Sequence, residues 1–384
     1  MQNNTVRQKL ISLNSGKSNI AYAGNNMWFT ENPNYADLVA ELKESIQNNE
    51  VRGSILIATD SGIIWASGSR SVDKSGDEVT PLSTYEIGSL TKMYTAAVVF
   101  KLIDEGKLSL TDRVTAYLPA YTKANDVTIF DLLHMRSGIV DFANDCETFF
   151  HNDEALIDAL DNGEITDDVF LELLYSLDLI FEPGSKMAYC NTNYVLLAMI
   201  IEKITGKSYR ENVRERIFEP LGMDCSSATT FGDVTSVPEG KGGYLMEYQI
   251  ARGAGDIHSN VLDLLKFNRA FFNARIVSAA GKAGMLDFID AYGCGWEASQ
   301  RYADLVLHDG ETNSYYCLNY TFHASDPEKR CYFLMLTCCN EDDDDEENEE
   351  ETAAAENETA EESEEEEEFN QYQLIFDLCK KYLQ

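Results

Sequence analysis

Residues 85–106 read YEIGSLTKMYTAAVVFKLIDEG, which sets Ser89 and Lys92 three apart at the mouth of an apolar run. On a helix that spacing puts both side chains on one face, within reach of each other. A serine at a helix start keeps a free backbone N–H, and the helix dipole favours negative charge developing there. Its hydroxyl is a weak nucleophile unless a neighbour takes the proton, which a lysine does only when desolvation or a nearby charge depresses its pKa. Taken alone, the pair reads more simply as a capping serine and a surface lysine.

Outward from this stretch the pattern changes twice. Upstream, NYADLVAELKESIQNN repeats Leu38, Leu42 and Ile46 at helical spacing, predicting a helix over 35–49. GSILIATDSGIIWASG then gives two β-rich runs around Asp60, Ser61 and Gly62, a hairpin signal. From about 111 to 244 helical patterns and loops dominate, with a later helix beginning near Asn260, capped by it and carrying Asp263 in its first turn. Strand patterns return in ADLVLHDG, SYYCLNYTFH and KRCYFLMLTCC. FNQYQLIFDLCKKYLQ closes the chain as an amphipathic helix, with Phe369, Tyr372, Phe376, Cys379 and Leu383 on one stripe and Lys380 and Lys381 complementing its C-terminal dipole.

Strands at both ends around a helical middle predict an α+β fold. One antiparallel sheet is assembled from residues 35–110 and 245–384, flanked by N- and C-terminal helices, with a mainly helical domain inserted at 111–244. Residues 1–34 are predicted to be a poorly structured leader. Residues 341–368 hold 19 acidic residues and no Lys or Arg, the composition of a disordered loop within the sheet domain.

Composition narrows the function. Of the net charge of −36, the acidic run supplies −19, and the remaining −17 argues against nucleic acid or an anionic membrane as the partner. No stretch approaches the 18 or so apolar residues of a membrane span, and the start has no apolar signal core. The first 30 residues lack acids and carry Arg7, Lys9 and Lys17, as transit peptides do, but the reading taken is a cytoplasmic protein. Nine cysteines, an odd number without framework spacing, fit reduced thiols.

Five blocks follow one another: PLSTYEIGSLTKMYTAAVVFKLIDEGKLSLTDRVTAYLP, TIFDLLHMRSGI, FEPGSKMAYCNTNYVLLAMIIEKITGKSYRENVRERIFEPLGM, GAGDIHSNVLDLLKF and LVLHDGETN. This series resembles the class C β-lactamase-like serine hydrolases, a family that includes D-Ala-D-Ala carboxypeptidases, D-aminopeptidases and esterases. The resemblance runs from about residue 50 to 340 and implies a β-lactamase/transpeptidase-like fold. It makes Ser89 the acylated nucleophile and Lys92 its proton partner. Tyr189 of YCN becomes the second base and acid, a phenol whose pKa is held down by the lysine's charge. Asn191 orients Lys92 and bonds the substrate amide. His308 and Gly310 of HDG match the third motif, where the glycine lets a strand edge approach the substrate. Backbone N–H groups of Ser89 and Glu311 supply the oxyanion hole. Singly, Tyr189 reads as a rim aromatic, Asn191 as a turn residue and His308 as a surface or satisfied histidine.

Departures from the family pattern qualify the substrate. Positions 309 and 311 are usually small, yet this chain has Asp309 and Glu311. Carboxylates beside an oxyanion hole would repel an anionic lactam or peptide terminus unless they point away, which favours neutral esters or amides or substrates with a free amine. Cys190 replaces the common serine, and HMRSG is one residue longer than the family's HTSG, which is expected to shift the loop behind the site.

Other chemistries lack support. There is no Gly-x-Ser-x-Gly elbow; TGKS at 205–208 has Ile201 where a P-loop needs glycine; and five histidines with Cys338 and Cys339 adjacent form no zinc pattern. The reading is a serine hydrolase acting on an ester or amide of a small molecule or peptide, with no metal or organic cofactor. The alternative is an inactive binding or assembly module of the same fold whose acidic loop recruits a partner.

Overall fold

The computed structural model describes residues 2–14, 19–48, 53–69, 78–161, 164–228, 251–312, 315–338 and 371–383, so the acidic run at 341–368 lies outside the described residues. Strands from both ends of the chain meet in one eight-stranded antiparallel sheet. In chain order they are β1 (Ile20–Gly24), β2 (Met27–Thr30), β3 (Gly53–Thr59), β4 (Ile63–Ser69), β8 (Glu297–Ala298), β9 (Val306–Glu311), β10 (Tyr315–Phe322) and β11 (Cys331–Cys338). Their spatial order is β1-β2-β4-β3-β11-β10-β9-β8, with the join between the halves at β3 and β11, where Leu56 faces Leu334. A second sheet of three short strands, β5 (Tyr85–Glu86), β6 (Ser227–Ala228) and β7 (Ile257–Ser259), has the order β5-β7-β6.

Both faces of the central strands are buried, and their two-residue period sorts them. Ile55, Ile57, Phe333 and Met335 pack against the terminal helices, with Leu38, Leu42 and Ile46 of helix Ala36–Asn48 and with Ile375, Phe376 and Cys379 of helix Gln371–Leu383. Leu56, Ala58, Leu334 and Leu336 face the helical side, whose centre is the helix Thr91–Asp104. Lys381 reaches Glu41 across the two terminal helices at 2.8 Å, a solvent-exposed pair of little energetic weight.

The leader corrects an expectation. Residues 1–34 carry a helix over Gln2–Ser12 and the β1–β2 hairpin. Val6 and Leu10 of that helix are fully buried, and β2 pairs with β4, burying Met27 and Trp28. Asn25 and Asn26 at φ 48° and 52° make the tight turn. These elements are too short to form alone and are stabilised by the sheet edge that β4 offers.

Candidate active site

Ser89 lies not in the helix but in a single 3-10 turn, Gly88–Leu90, immediately before helix Thr91–Asp104. Gly88 at φ +49° makes the bend, and a Cβ there would stand 2.9 Å from Glu311 N and 2.7 Å from Glu311 O. The serine turn is thus pressed against the end of β9. Because residues 91–100 of the helix are all buried, Lys92 has no exposed surface.

Lys92 Nζ is 2.8 Å from Ser89 Oγ, 2.8 Å from Asn191 Oδ1 and 2.9 Å from the carbonyl of Ala254. The two carbonyl oxygens can only accept, so they take two N–H bonds. Burial pushes the Lys92 pKa down to about 7, although Asp141 and Glu297 pull it back up. In its neutral form, with two N–H groups committed to these carbonyls, the amine turns its lone pair to Ser89; protonated, it donates to Ser89 Oγ instead. Tyr189 Oη donates to Ser89 Oγ at 2.8 Å, completing a chain from phenol to serine to lysine. Burial raises the phenol's pKa, and Glu297 and Asp141 add to the rise, which outweighs the hydrogen bond to Ser89. Tyr189 therefore remains protonated, contrary to the expectation of a depressed phenol; Lys92 is the group whose pKa is depressed.

Asn191 opens the helix Asn191–Thr205. Its backbone N–H and its Nδ2 both donate to Asp141 Oδ2, at 3.0 and 3.1 Å, which turns its Oδ1 to Lys92. One amide N–H that the sequence reading assigned to substrate is thus committed to Asp141. The loop that carries Asp141 follows HMRSG, whose Met135 adopts φ 57° and whose Gly138 leaves no room for a Cβ beside Phe181 O at 2.2 Å. Met135 accepts from Ala188 N through its carbonyl at 2.8 Å and from Cys190 N through its sulfur at 3.3 Å. The longer loop thereby holds both neighbours of Tyr189.

On β9 the alternation decides the third motif. Val306, His308 and Gly310 are buried on the helical side, while Leu307 packs with the terminal-helix core and Asp309 bonds Tyr320 there. Asp309 therefore points away from Ser89, and Glu311 shares its period and is exposed. The repulsion expected from these carboxylates does not apply in the serine cleft. Burial first, and Glu297 second, push Asp309 up to about 7. His308 Nδ1 lies 2.6 Å from the carbonyl of Asp309 and must be its donor, while burial and Lys92 push the ring's pKa down to about 3, so it is neutral.

Gly310 has a different role from the one expected. Its open side faces Ile87 rather than a cleft, with the Ile87 carbonyl 2.1 Å from a Cβ position. Gly310→Ala should push β9 off the serine turn, costing about 1–3 kcal/mol. A lower thermal midpoint with slower acylation of Ser89 is expected; an unchanged midpoint would mean that the strand moves freely.

Asp141 and Glu297 were not found in the sequence. Asp141 had the signal of an acid after the Ser-Gly turn of a motif already singled out. Glu297 had none, because it reaches the site from the two-residue strand β8. Among the described residues no group of His, Cys, Asp and Glu is placed to hold a metal ion, and no helix is long and apolar enough to cross a membrane.

A family model described as Beta-lactamase matches residues 37–356. Penicillin-binding protein 4 of Amycolatopsis lactamdurans is 28% identical over 256 residues, 58% of this chain and 63% of that protein. The octameric penicillin-binding protein homologue of Pyrococcus abyssi is 29% identical with a TM-score of 0.62, covering 78% of this chain and 72% of that one. The D-amino acid amidase of Ochrobactrum anthropi SV3, solved with L-phenylalanine amide, shares the fold at 23% identity, with a TM-score of 0.64 and coverage of 79% and 91%. The chain spans less than two thirds of the length of the curated penicillin-binding relatives it matches.

Proposed function

Because the chain belongs to the Beta-lactamase family, we propose that it is a serine hydrolase that opens an ester or amide through an acyl-enzyme on Ser89. The observation that carries this is the Tyr189–Ser89–Lys92 chain, with both links at 2.8 Å and the lysine fixed by two carbonyl acceptors. Ser89 Oγ attacks the carbonyl carbon as its proton passes to the neutral Lys92 amine. The carbonyl oxygen becomes an oxyanion, held by the N–H groups of Ser89 and Glu311, which the tight contact of Gly88 with Glu311 brings together. Tyr189 gives its proton to the departing alcohol or amine and regains one from the Lys92 ammonium. Water then attacks the acyl ester, its proton returns to the same pair, and Ser89 leaves with its hydroxyl restored. Asn191 and Asp141 position Lys92 throughout.

The test is incubation with a fluorophosphonate, followed by intact-mass analysis and peptide mapping. One adduct on Ser89 is expected. Only neutral Lys92 accepts the proton, so the labelling rate should rise with pH through about 7 and level off above it. A folded protein that takes no label on Ser89, or labels at a rate flat across pH 5–9, overturns the reading and favours a binding module.

A further inference from the structure

Glu297 and His308 place two acceptor atoms face to face beside the catalytic chain. His308 is 2% exposed, and with Nδ1 donating to the Asp309 carbonyl its Nε2 carries a lone pair. That Nε2 finds no hydrogen-bond partner among the described residues. Glu297 Oε1 stands 3.9 Å from it, and a carboxylate and a lone pair cannot bond each other. A nitrogen placed about 2.8 Å from each would subtend roughly 90°, close to the angle between two N–H bonds of an ammonium. Among the described residues no lysine or arginine makes a close ion pair with Glu297; Lys92 acts on it only through space. Beside the pair, the rings of Tyr189, Tyr292 and His308 close a triangle with centroids 6.0–6.4 Å apart, a wall that suits a cation.

We propose that Glu297 and His308 form a subsite for a protonated amine, so that the preferred acyl donor is an amino-acid amide, amino-acid ester or peptide with a free amine next to the scissile carbonyl. This rests on the serine-hydrolase reading, since an α-amine lies one carbon from the carbonyl that Ser89 attacks, and Tyr189 belongs to both the ring wall and the proton chain. The amine donates one N–H to Glu297 Oε1 and another to His308 Nε2. An acyl donor with an anionic group in that place meets the Glu297 carboxylate instead. The free-amine alternative that Asp309 and Glu311 suggested is thereby moved to a residue whose carboxylate stands beside His308 at the edge of the sheet.

The experiment compares kcat/KM at pH 7 for alanine and phenylalanine p-nitroanilides, both enantiomers of each, with their N-acetyl forms. Wild type should prefer a free-amine substrate over its acetylated form by at least tenfold. In Glu297→Gln that preference should collapse toward one, chiefly through a 10- to 100-fold loss on the free amine, with Glu297→Asp recovering part of it. Thermal midpoints of both variants within a few degrees of wild type show that they are folded. Equal cleavage of free and acetylated forms, an equal loss on both in Glu297→Gln, or no cleavage of any free-amine anilide by a protein whose Ser89 still takes the fluorophosphonate would each sink the subsite alone. Failure of Ser89 to label would instead sink the hydrolase reading, and the subsite with it.

Discussion

Ser89→Ala should remove the hydrolytic activity, lowering kcat on any ester or amide the protein cleaves by on the order of 10⁴-fold or more. The magnitude follows from the role, since without Oγ there is no acyl-enzyme and only binding and the oxyanion donors remain to act on water. The fold should survive, because Ser89 is only half-buried and its turn is shaped by Gly88 and by contact with β9. Loss of the Oγ leaves Tyr189 Oη without its acceptor, a cost of about 1–3 kcal/mol. The check is initial-rate hydrolysis of a chromogenic ester by protein shown by circular dichroism to be folded. Activity above about one hundredth of wild type would assign the nucleophile elsewhere.

Much of this site was legible because its parts lie in local patterns. Ser89 and Lys92 share three residues of spacing, Tyr189 and Asn191 two, and His308 and Gly310 two, so each pair could be read before any folding was considered. The sheet was legible for a similar reason: Ile55, Ile57, Phe333 and Met335 sit in apolar runs whose length and β-branched character point to strands. What could not be read depends on which way a side chain leaves its element. Asp309 and Gly310 are adjacent in sequence, but the pleat of β9 sends the carboxylate toward Tyr320 and leaves the glycine against Ile87. Sequence alone left open whether Asp309 points into the cleft, because it carried no register for β9. Glu297 was invisible for the opposite reason, since its link to His308 spans a pairing between β8 and β9 that no local pattern announces. The β1–β2 hairpin was missed because strands of four and five residues gain their stability from β4, about 40 residues away.

Lys92→Met separates two effects that share one cause. Removing the proton acceptor should lower kcat by about 10²–10⁴-fold, measured on the same chromogenic ester. Lys92→Arg should not restore it, because a guanidinium stays protonated at every usable pH. Burial also carries a cost that the same variant exposes. In the unfolded chain Lys92 titrates at its ordinary value of 10.5, and in the folded protein at about 7. Between those values the unfolded state binds a proton that the native state does not, so stability is lost as pH falls from 10.5 to 7 and changes no further below. The difference corresponds to on the order of 4 kcal/mol for a side chain with no exposed surface. Methionine has no proton to lose, so the stability of Lys92→Met relative to wild type should increase by that order across the same interval. It should do so even though the variant leaves Asn191 Oδ1 and the Ala254 carbonyl without their donor, a deficit that does not vary with pH. Urea unfolding of both proteins at several pH values from 6 to 10.5 measures this directly. Parallel curves would mean that Lys92 keeps its ordinary pKa in the fold, leaving Ser89 without a neutral amine at pH 7.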